Sequence, residues 1–105
     1  QALRSAVKGK TLLGLEVRPI SPEMARQLGL RNAEGVLVAG VQAGSPADEA
    51  GVQRGDIIRE LNRQRIKGLD DFERQSRNLK PGDRVTVLLQ RGPMSLYVAF
   101  TLARG

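Results

Sequence analysis

The sequence predicts an α+β domain that is mainly β: a small, partly open β-barrel or sandwich of five or six strands, capped by two or three helices. Three observations lead to this fold class. Apolar runs of strand length alternate with turn residues, two Ser-Pro pairs open short helical segments, and two alternating segments joined by Gly-Pro close the chain. The length of 105 residues corresponds to one ordinary domain.

The first part of the chain is predicted to contain a strand, a short helix and a second strand. Residues 11–17 are apolar and continue as extended chain, because the residue before a proline avoids the helical region. Ser21 and Pro22 are typical of an N-cap and a first helical turn, and Gly29 is a natural terminator. The uninterrupted apolar run at residues 35–41 indicates a buried strand.

A second short helix is expected before the central strand. Ser45 is its predicted N-cap, Pro46 occupies its first turn, and Gly51 follows its last residue. We then expect a strand at Ile57–Leu61 and a polar loop at residues 62–65.

The last part is predicted to hold the longest helix and a hairpin. The helix covers about residues 69–79, with two aspartates near its start that suit the positive end of the helix dipole. Residues 85–90 alternate in polarity, a Gly-Pro turn follows, and residues 96–102 form the final strand.

Composition excludes several kinds of function. The chain has no cysteine and no histidine, which rules out disulfides, thiolate or imidazole zinc sites and a Ser-His-Asp triad. None of its serines lies in a Gly-x-Ser-x-Gly turn, and no spacing argues for the Ser-Lys dyad that composition alone leaves open. We therefore expect no catalytic residues, no metal and no cofactor. No apolar run approaches the roughly 20 residues that a membrane-spanning helix needs.

The net charge of +6 raises the question of nucleic-acid binding. The 17 basic residues are spread along the chain, and three aromatic residues are too few for a base-stacking platform. The pattern therefore favours a solvated basic surface, and we expect no nucleic-acid partner.

The most informative stretch is residues 44–62, GSPADEAGVQRGDIIRELN, in which each Gly, Pro and Asp has a local structural reason. It closely resembles the GSPA-x-x-AG-x-x-x-GD-x-I-x-x-x-N signature of PDZ domains, above all the circularly permuted bacterial type of HtrA/Deg-family (DegP/DegQ-like) serine proteases. The resemblance extends over residues 8–102. It implies a PDZ-like peptide-binding domain at residues 11–103, with a linker at residues 1–10.

The resemblance also implies a loop that binds the carboxylate of a peptide C-terminus. The loop consists of Leu12, Leu13, Gly14 and Leu15. A glycine lets successive backbone N–H groups turn toward one point, which forms a nest for an anion. The alternative is that Gly14 is only a bulge within an apolar strand.

Three further parts of the site follow from the same resemblance. An extended ligand would pair with Glu16 and Val17 by β-augmentation. A basic residue near the carboxylate would be Lys8 or Lys10, for which a purely solvated role is the alternative. The helix beginning near Asp70 would form the far wall of the site, through Phe72, Ser76 and Leu79. For Phe72 and Leu79 the sequence leaves open that they point into the core instead.

These implications predict a non-catalytic domain that captures apolar C-termini of unfolded or partner proteins, as the regulatory or substrate-recruiting domain of an HtrA-like periplasmic serine endopeptidase. The rival interpretation is a structural, oligomerisation or docking module that contacts other domains or subunits of the parent protease and has no free peptide ligand. Both use exposed strand edges, so the sequence does not separate them.

Overall fold

The computed structural model describes residues 13–102, and within that range the chain forms six strands and three helices. The strands are β1 (Leu15–Pro19), β2 (Val36–Val41), β3 (Ile57–Leu61), β4 (Gln64–Arg65), β5 (Arg84–Arg91) and β6 (Met94–Thr101). The helices are α1 (Pro22–Gln27), α2 (Pro46–Ala50) and α3 (Leu69–Arg77). This open antiparallel arrangement confirms the predicted fold class.

The strands form one antiparallel sheet in the order β1-β2-β3-β5-β6, with β4 paired only to β3. In the part of the chain that the structure describes, β1 and β6 are therefore the two edges of the sheet. Every other long strand has a neighbour on each side. The two edges are the places where the backbone is able to accept another strand.

The two short helices begin as their Ser-Pro pairs predict. The hydroxyl of Ser21 accepts a hydrogen bond from the amide of Met24 at 3.0 Å, and that of Ser45 accepts from Asp48 at 3.2 Å. Gly51 ends α2 in the left-handed conformation with φ 100°. Such caps matter because α2 has five residues and is too short to be stable alone.

One core holds the sheet and the helices together. Its sixteen buried residues come from β1, β2, β3, β5 and β6, from α2 and α3, and from the segments that join them. Along β6 the side chains of Leu96, Val98 and Phe100 face this core, whereas Tyr97 and Ala99 are exposed. The strand period of two is therefore confirmed for the last strand.

A buried ion pair fixes the ends of the central strands. Asp56 precedes β3 and its side chain is 2% exposed, and the guanidinium of Arg91 donates two hydrogen bonds of 2.8 Å to its carboxylate. Arg91 also donates to the carbonyl of Gly51, and the amide of Gln53 donates to Asp56. Hydrogen bonding to Asp56 raises the pKa of the Arg91 guanidinium above its ordinary value.

The expected polar loop at residues 62–65 is instead a tight hairpin, in which Gln64 and Arg65 form β4. Asn62 and Arg63 both have positive φ, 52° and 66°, as a two-residue turn of the mirror-image type requires. Asn favours this conformation, but Arg rarely adopts it, so local preference does not reveal the turn.

Helix α3 begins at the predicted residue and ends at Arg77, two residues earlier than expected. Gly68, its N-cap, has no side chain to satisfy the first amides. The Asp71 carboxylate accepts from the amide of Lys67, which precedes the N-cap, at 2.9 Å and pairs with Arg74. The hydrogen bond from Lys67, aided by Arg74, lowers the pKa of Asp71 below its ordinary value.

Candidate functional site

The free edge of β1 is the main feature of the candidate site. Leu15 lies opposite Val41, and the amide of Gln42 donates to the carbonyl of Gly14 at 2.8 Å. This bond joins the residues just outside the Leu15–Val41 pair, so that pair is a non-hydrogen-bonded one. The N–H and C=O of Leu15 consequently point away from β2, toward the open edge.

Val17 also directs its backbone groups outward. It lies opposite Val38, whose amide donates to Asp56 O and whose carbonyl accepts from the amide of Gly55, both at 2.8 Å. Because Val38 uses both groups on its other side, none is left for Val17. By the alternation of an antiparallel ladder, Glu16 bonds inward to Gly40. The edge atoms of the expected pairing strand therefore come from Leu15 and Val17, whereas Glu16 contributes only its side chain.

The loop before β1 leads directly to this open edge. Gly14 has φ +79°, which turns the chain sharply at the start of the strand. Within residues 13–102, the amides of Leu13 and Gly14 donate to no backbone or side-chain acceptor. Leu13 lies in a turn that ends at Gly14, immediately before the outward-facing N–H of Leu15. N–H groups that a glycine turns toward one point form a nest that suits a carboxylate.

Gly14 is also a point of close packing. A Cβ added to it would collide with the side chain of Ser45, the N-cap of α2. The loop is thereby held against the start of that helix. Gly14 is needed both for its backbone conformation and for this contact, which is more than a simple bulge would require.

Helix α3 contacts β1, as the expected far wall of the site requires. Phe72 has no exposed surface and belongs to the main core. Of the two orientations that the sequence left open, the structure therefore shows the one in which Phe72 points into the core. Leu79 is only partly buried and packs at the margin of the same core. Leu13 and Leu15 are at most 1% exposed, so their side chains support the loop from below.

Ser76 is the unusual residue of α3. Its Oγ is buried and, among the described residues, has no hydrogen-bond partner. A buried hydroxyl without a partner destabilises a fold, whereas the alanine that would avoid this cost also suits a helix better. The backbone position of Ser76, one turn after Phe72, places the hydroxyl on the inward side of α3.

Some expected site residues lie outside the described range. These are Leu12, Lys8, Lys10 and the linker at residues 1–10. Within residues 13–102, no group of three or more Asp or Glu side chains is arranged to hold a metal ion. The three helices of that range are all too short and too polar to cross a membrane.

A family model described as a PDZ domain matches residues 11–102. The chain belongs to the PDZ family. The edge of β1, the loop at Gly14 and helix α3 are thus parts of a PDZ domain.

Relatives of this PDZ domain are much longer proteins. A probable periplasmic serine endoprotease, DegP-like, from Rhizobium meliloti (strain 1021) is 39% identical over 79% of the chain and 16% of the relative. A protein of the same description from Chlamydia trachomatis serovar D is 36% identical over 82% of the chain and 17% of the relative. The chain therefore spans about a sixth of the length of these relatives.

Solved structures agree with the fold. An HtrA-type protease, AlgW with decapeptide, superposes with a TM-score of 0.76 and 28% identity over 87% of this chain and 28% of that one. The HtrA3 PDZ domain bound to a phage-derived ligand superposes with a TM-score of 0.71 over 86% of this chain and 82% of that one. Its identity of 22% makes it a likeness of fold alone.

Proposed function

We propose that this PDZ domain binds the free C-terminus of an extended polypeptide along the edge of β1. The observation that carries the proposal is the outward-facing backbone of Leu15 and Val17, directly after the left-handed turn at Gly14. The amides of Leu13, Gly14 and Leu15 would receive the terminal carboxylate. Leu15 and Val17 would then pair with the ligand backbone as a neighbouring strand does.

The chemistry favours an apolar terminal residue. Leu13 and Leu15 of the loop are aliphatic, and Leu69 and Leu79 of the α3 segment remain partly exposed where they pack against the core. A terminal side chain that covers them removes apolar surface from water, at about 25 cal/mol per Å². Specificity in this arrangement comes from the side chains, whereas the carboxylate and the backbone bonds supply affinity.

The decapeptide and the phage-derived ligand in two similar solved structures support a peptide as the ligand class. The DegP-like relatives support a serine endopeptidase of the periplasm as the parent protein. In such a parent, a domain that holds C-termini would recruit unfolded or partner proteins to a catalytic part elsewhere in the chain. We place this domain in the periplasm or cell envelope on the same ground.

The test is a pair of short peptides that end in the same apolar residue, one as the free acid and one as the C-terminal amide. A carboxylate that accepts two or three charge-assisted hydrogen bonds contributes about 2–4 kcal/mol. Amidation should therefore weaken binding at least tenfold, as measured by fluorescence anisotropy. A peptide series ending in Ala, Val, Leu and Phe would provide the probes.

Equal affinity for acid and amide would reject the carboxylate nest. The second candidate function, a docking module without a free ligand, has its own support, because the edge of β1 accepts a strand from any source. It predicts that no acid peptide of the series binds, while the isolated catalytic part of the parent protease does.

A further inference from the structure

The second edge of the sheet, β6, exposes large apolar side chains. Three large hydrophobic side chains are exposed among residues 13–102, and two of them, Met94 (59%) and Tyr97 (63%), are on β6. The inward residues of the same strand, Leu96 and Val98, pack against the core. The exposed side chains are therefore additional to those that the fold needs.

The register of the hairpin determines which backbone groups of β6 are free. Thr86 of β5 directs its main chain toward β3: its carbonyl accepts from the amide of Asn62 at 2.7 Å, and its amide donates to the Asn62 side chain at 2.9 Å. Thr86 is opposite Ala99, so that pair is a non-hydrogen-bonded one. By alternation, the residues that face outward are Ser95, Tyr97, Ala99 and Thr101.

The residues of β6 carry none of the features that usually protect an edge, and helix α2 contacts the strand. The segment Met94–Thr101 has no charged residue, no proline and no glycine, and its pairing with β5 continues over eight residue pairs without a bulge. Natural sheets usually have charged residues, prolines or bulges on exposed edges, and these prevent association with other strands. An uninterrupted, uncharged edge is typical of a strand that another strand covers.

We propose that β6 pairs with the β6 strand of a second copy of this chain, antiparallel and about a two-fold axis at Val98. The argument is self-complementarity. In this register Tyr97 lies opposite Ala99 of the second copy and Ser95 opposite its Thr101, so all four outward residues on each strand find partners. A large ring then faces a small methyl group twice, and two hydroxyl side chains face each other twice.

Charge does not oppose this pairing at the strand itself. Each copy carries a net charge of +6, but β6 contributes none of it. The nearest arginines of the hairpin, Arg84 and Arg91, are on β5, so the two copies' arginines are separated by three strand spacings, about 14 Å. At physiological ionic strength this exceeds the screening length of about 8 Å.

The dimer would leave the peptide site free. Pairing through β6 makes one continuous sheet whose two outer edges are the β1 strands of the two copies. Two sites for C-termini would therefore lie at opposite ends of one assembly. A substrate held at both would gain affinity from the high local concentration of the second site.

The experiment is sedimentation equilibrium of this 105-residue chain from 10 µM to 1 mM. An interface of one strand pair is small, so we expect a weak dimer with a Kd of about 0.1–1 mM. Below physiological ionic strength the net charge of the two copies is less screened, so the dimer should be weaker there. Ala99→Lys places two like charges beside the axis and should weaken it at least tenfold, whereas Gln64→Lys, an equal charge on exposed β4, should not.

A cross-link tests the register itself, because the chain has no other cysteine. Two residues opposite each other in a non-hydrogen-bonded pair have Cα atoms about 4.5 Å apart, within the range of a disulfide. Val98→Cys should therefore oxidise to a dimer faster than Gln64→Cys. A monomer at 1 mM, a dimer unaffected by Ala99→Lys, or a dimer that a β1 peptide dissociates would each overturn the proposal.

Discussion

The two edges of the sheet, β1 and β6, differ in how many residues interrupt strand pairing. The β1 edge has a charged residue at Glu16 and another at Arg18, ends at Pro19, and faces a bulge in β2 between its second and third residues. The β6 edge has none of these features over eight residues. An edge interrupted in this way offers only a short stretch to a partner, whereas β6 offers its full length.

This difference is informative about binding. At β1 only Leu15 and Val17 offer both an N–H and a C=O, so a ligand gains much of its affinity from the amides of the preceding loop. A free C-terminus satisfies that requirement, and an internal segment does not. At β6 there is no anion site, and a strand of matching length is what fits. One sheet thus presents two edges with different partners.

The largest predicted effect tests the scaffold that both edges share. Asp56→Ala removes a 2% exposed carboxylate that accepts from Arg91 and from the Gln53 amide. It should lower the free energy of unfolding by about 2–3 kcal/mol. This is less than the loss of a fully buried ion pair costs, because the Arg91 side chain is a third exposed and can be hydrated when its partner is removed. Chemical denaturation measures this. Glu34→Ala, which breaks an exposed pair with Arg65, is the control and should cost about 0.5 kcal/mol.

A loss as small as that of the Glu34 control would mean that the Asp56 network does not hold the sheet. If the network does act as proposed, peptide affinity of the folded Asp56→Ala domain should stay close to that of the wild type. The scaffold and the β1 edge would then be separable.

A second prediction concerns a change that affects only the β1 edge. Gly14→Ala strains the left-handed backbone at φ +79° and also drives a Cβ into Ser45. Gly29→Ala is the matched control, since Gly29 has φ +73° and no atom within 4 Å of an added Cβ. Strain alone costs about 1 kcal/mol, so Gly29→Ala should lose about that and Gly14→Ala about 2–3 kcal/mol.

Peptide titration of the same two variants completes this prediction. Gly14→Ala should weaken binding at least tenfold under conditions in which it is folded, and Gly29→Ala should leave binding unchanged. Equal melting temperatures and equal affinities for the two variants would show that the loop at Gly14 is neither closely packed nor part of the site.

The smallest predicted effect concerns the side of the site opposite β1. Ser76→Ala removes a buried hydroxyl that has no partner and should raise the free energy of unfolding by about 1 kcal/mol. Ser95→Ala, at an exposed position on β6, should change it by less than about 0.5 kcal/mol. Ser76→Val should in addition shift the peptide preference from Phe and Leu termini toward Ala. An unchanged order of peptide affinities would show that Ser76 does not line the site.

The sequence predicted the fold well where the signals were local. The caps Ser21 and Ser45, the terminator Gly51 and the alternation along β6 each depend on neighbouring residues, and the structure confirms them. The hairpin at Asn62 was missed because its second residue is an arginine at positive φ, which local preference disfavours.

The remaining features are set by contacts between distant parts of the chain. Asp56 and Arg91 are 35 positions apart, and neither segment contains a local pattern that predicts their pairing. Periodicity placed Leu15 and Val17 on one face of β1 but did not say which backbone groups stay free, since that depends on the register with β2. The orientation of Phe72 was open for the same reason. Helical spacing places Phe72 and Ser76 on one side of the helix, but it does not show whether that side faces the core.

Residue-resolved hydrogen exchange tests the central claim most directly. In the free domain, at a concentration where it is monomeric, the amides of Leu15 and Val17 should exchange rapidly while that of Glu16 is protected. A saturating acid peptide should slow exchange at Leu13, Gly14, Leu15 and Val17 at least tenfold, and leave Tyr97 and Ala99 of β6 unchanged. Protection that appears on β6 instead, or Leu15 and Val17 amides already protected without peptide, would contradict the account.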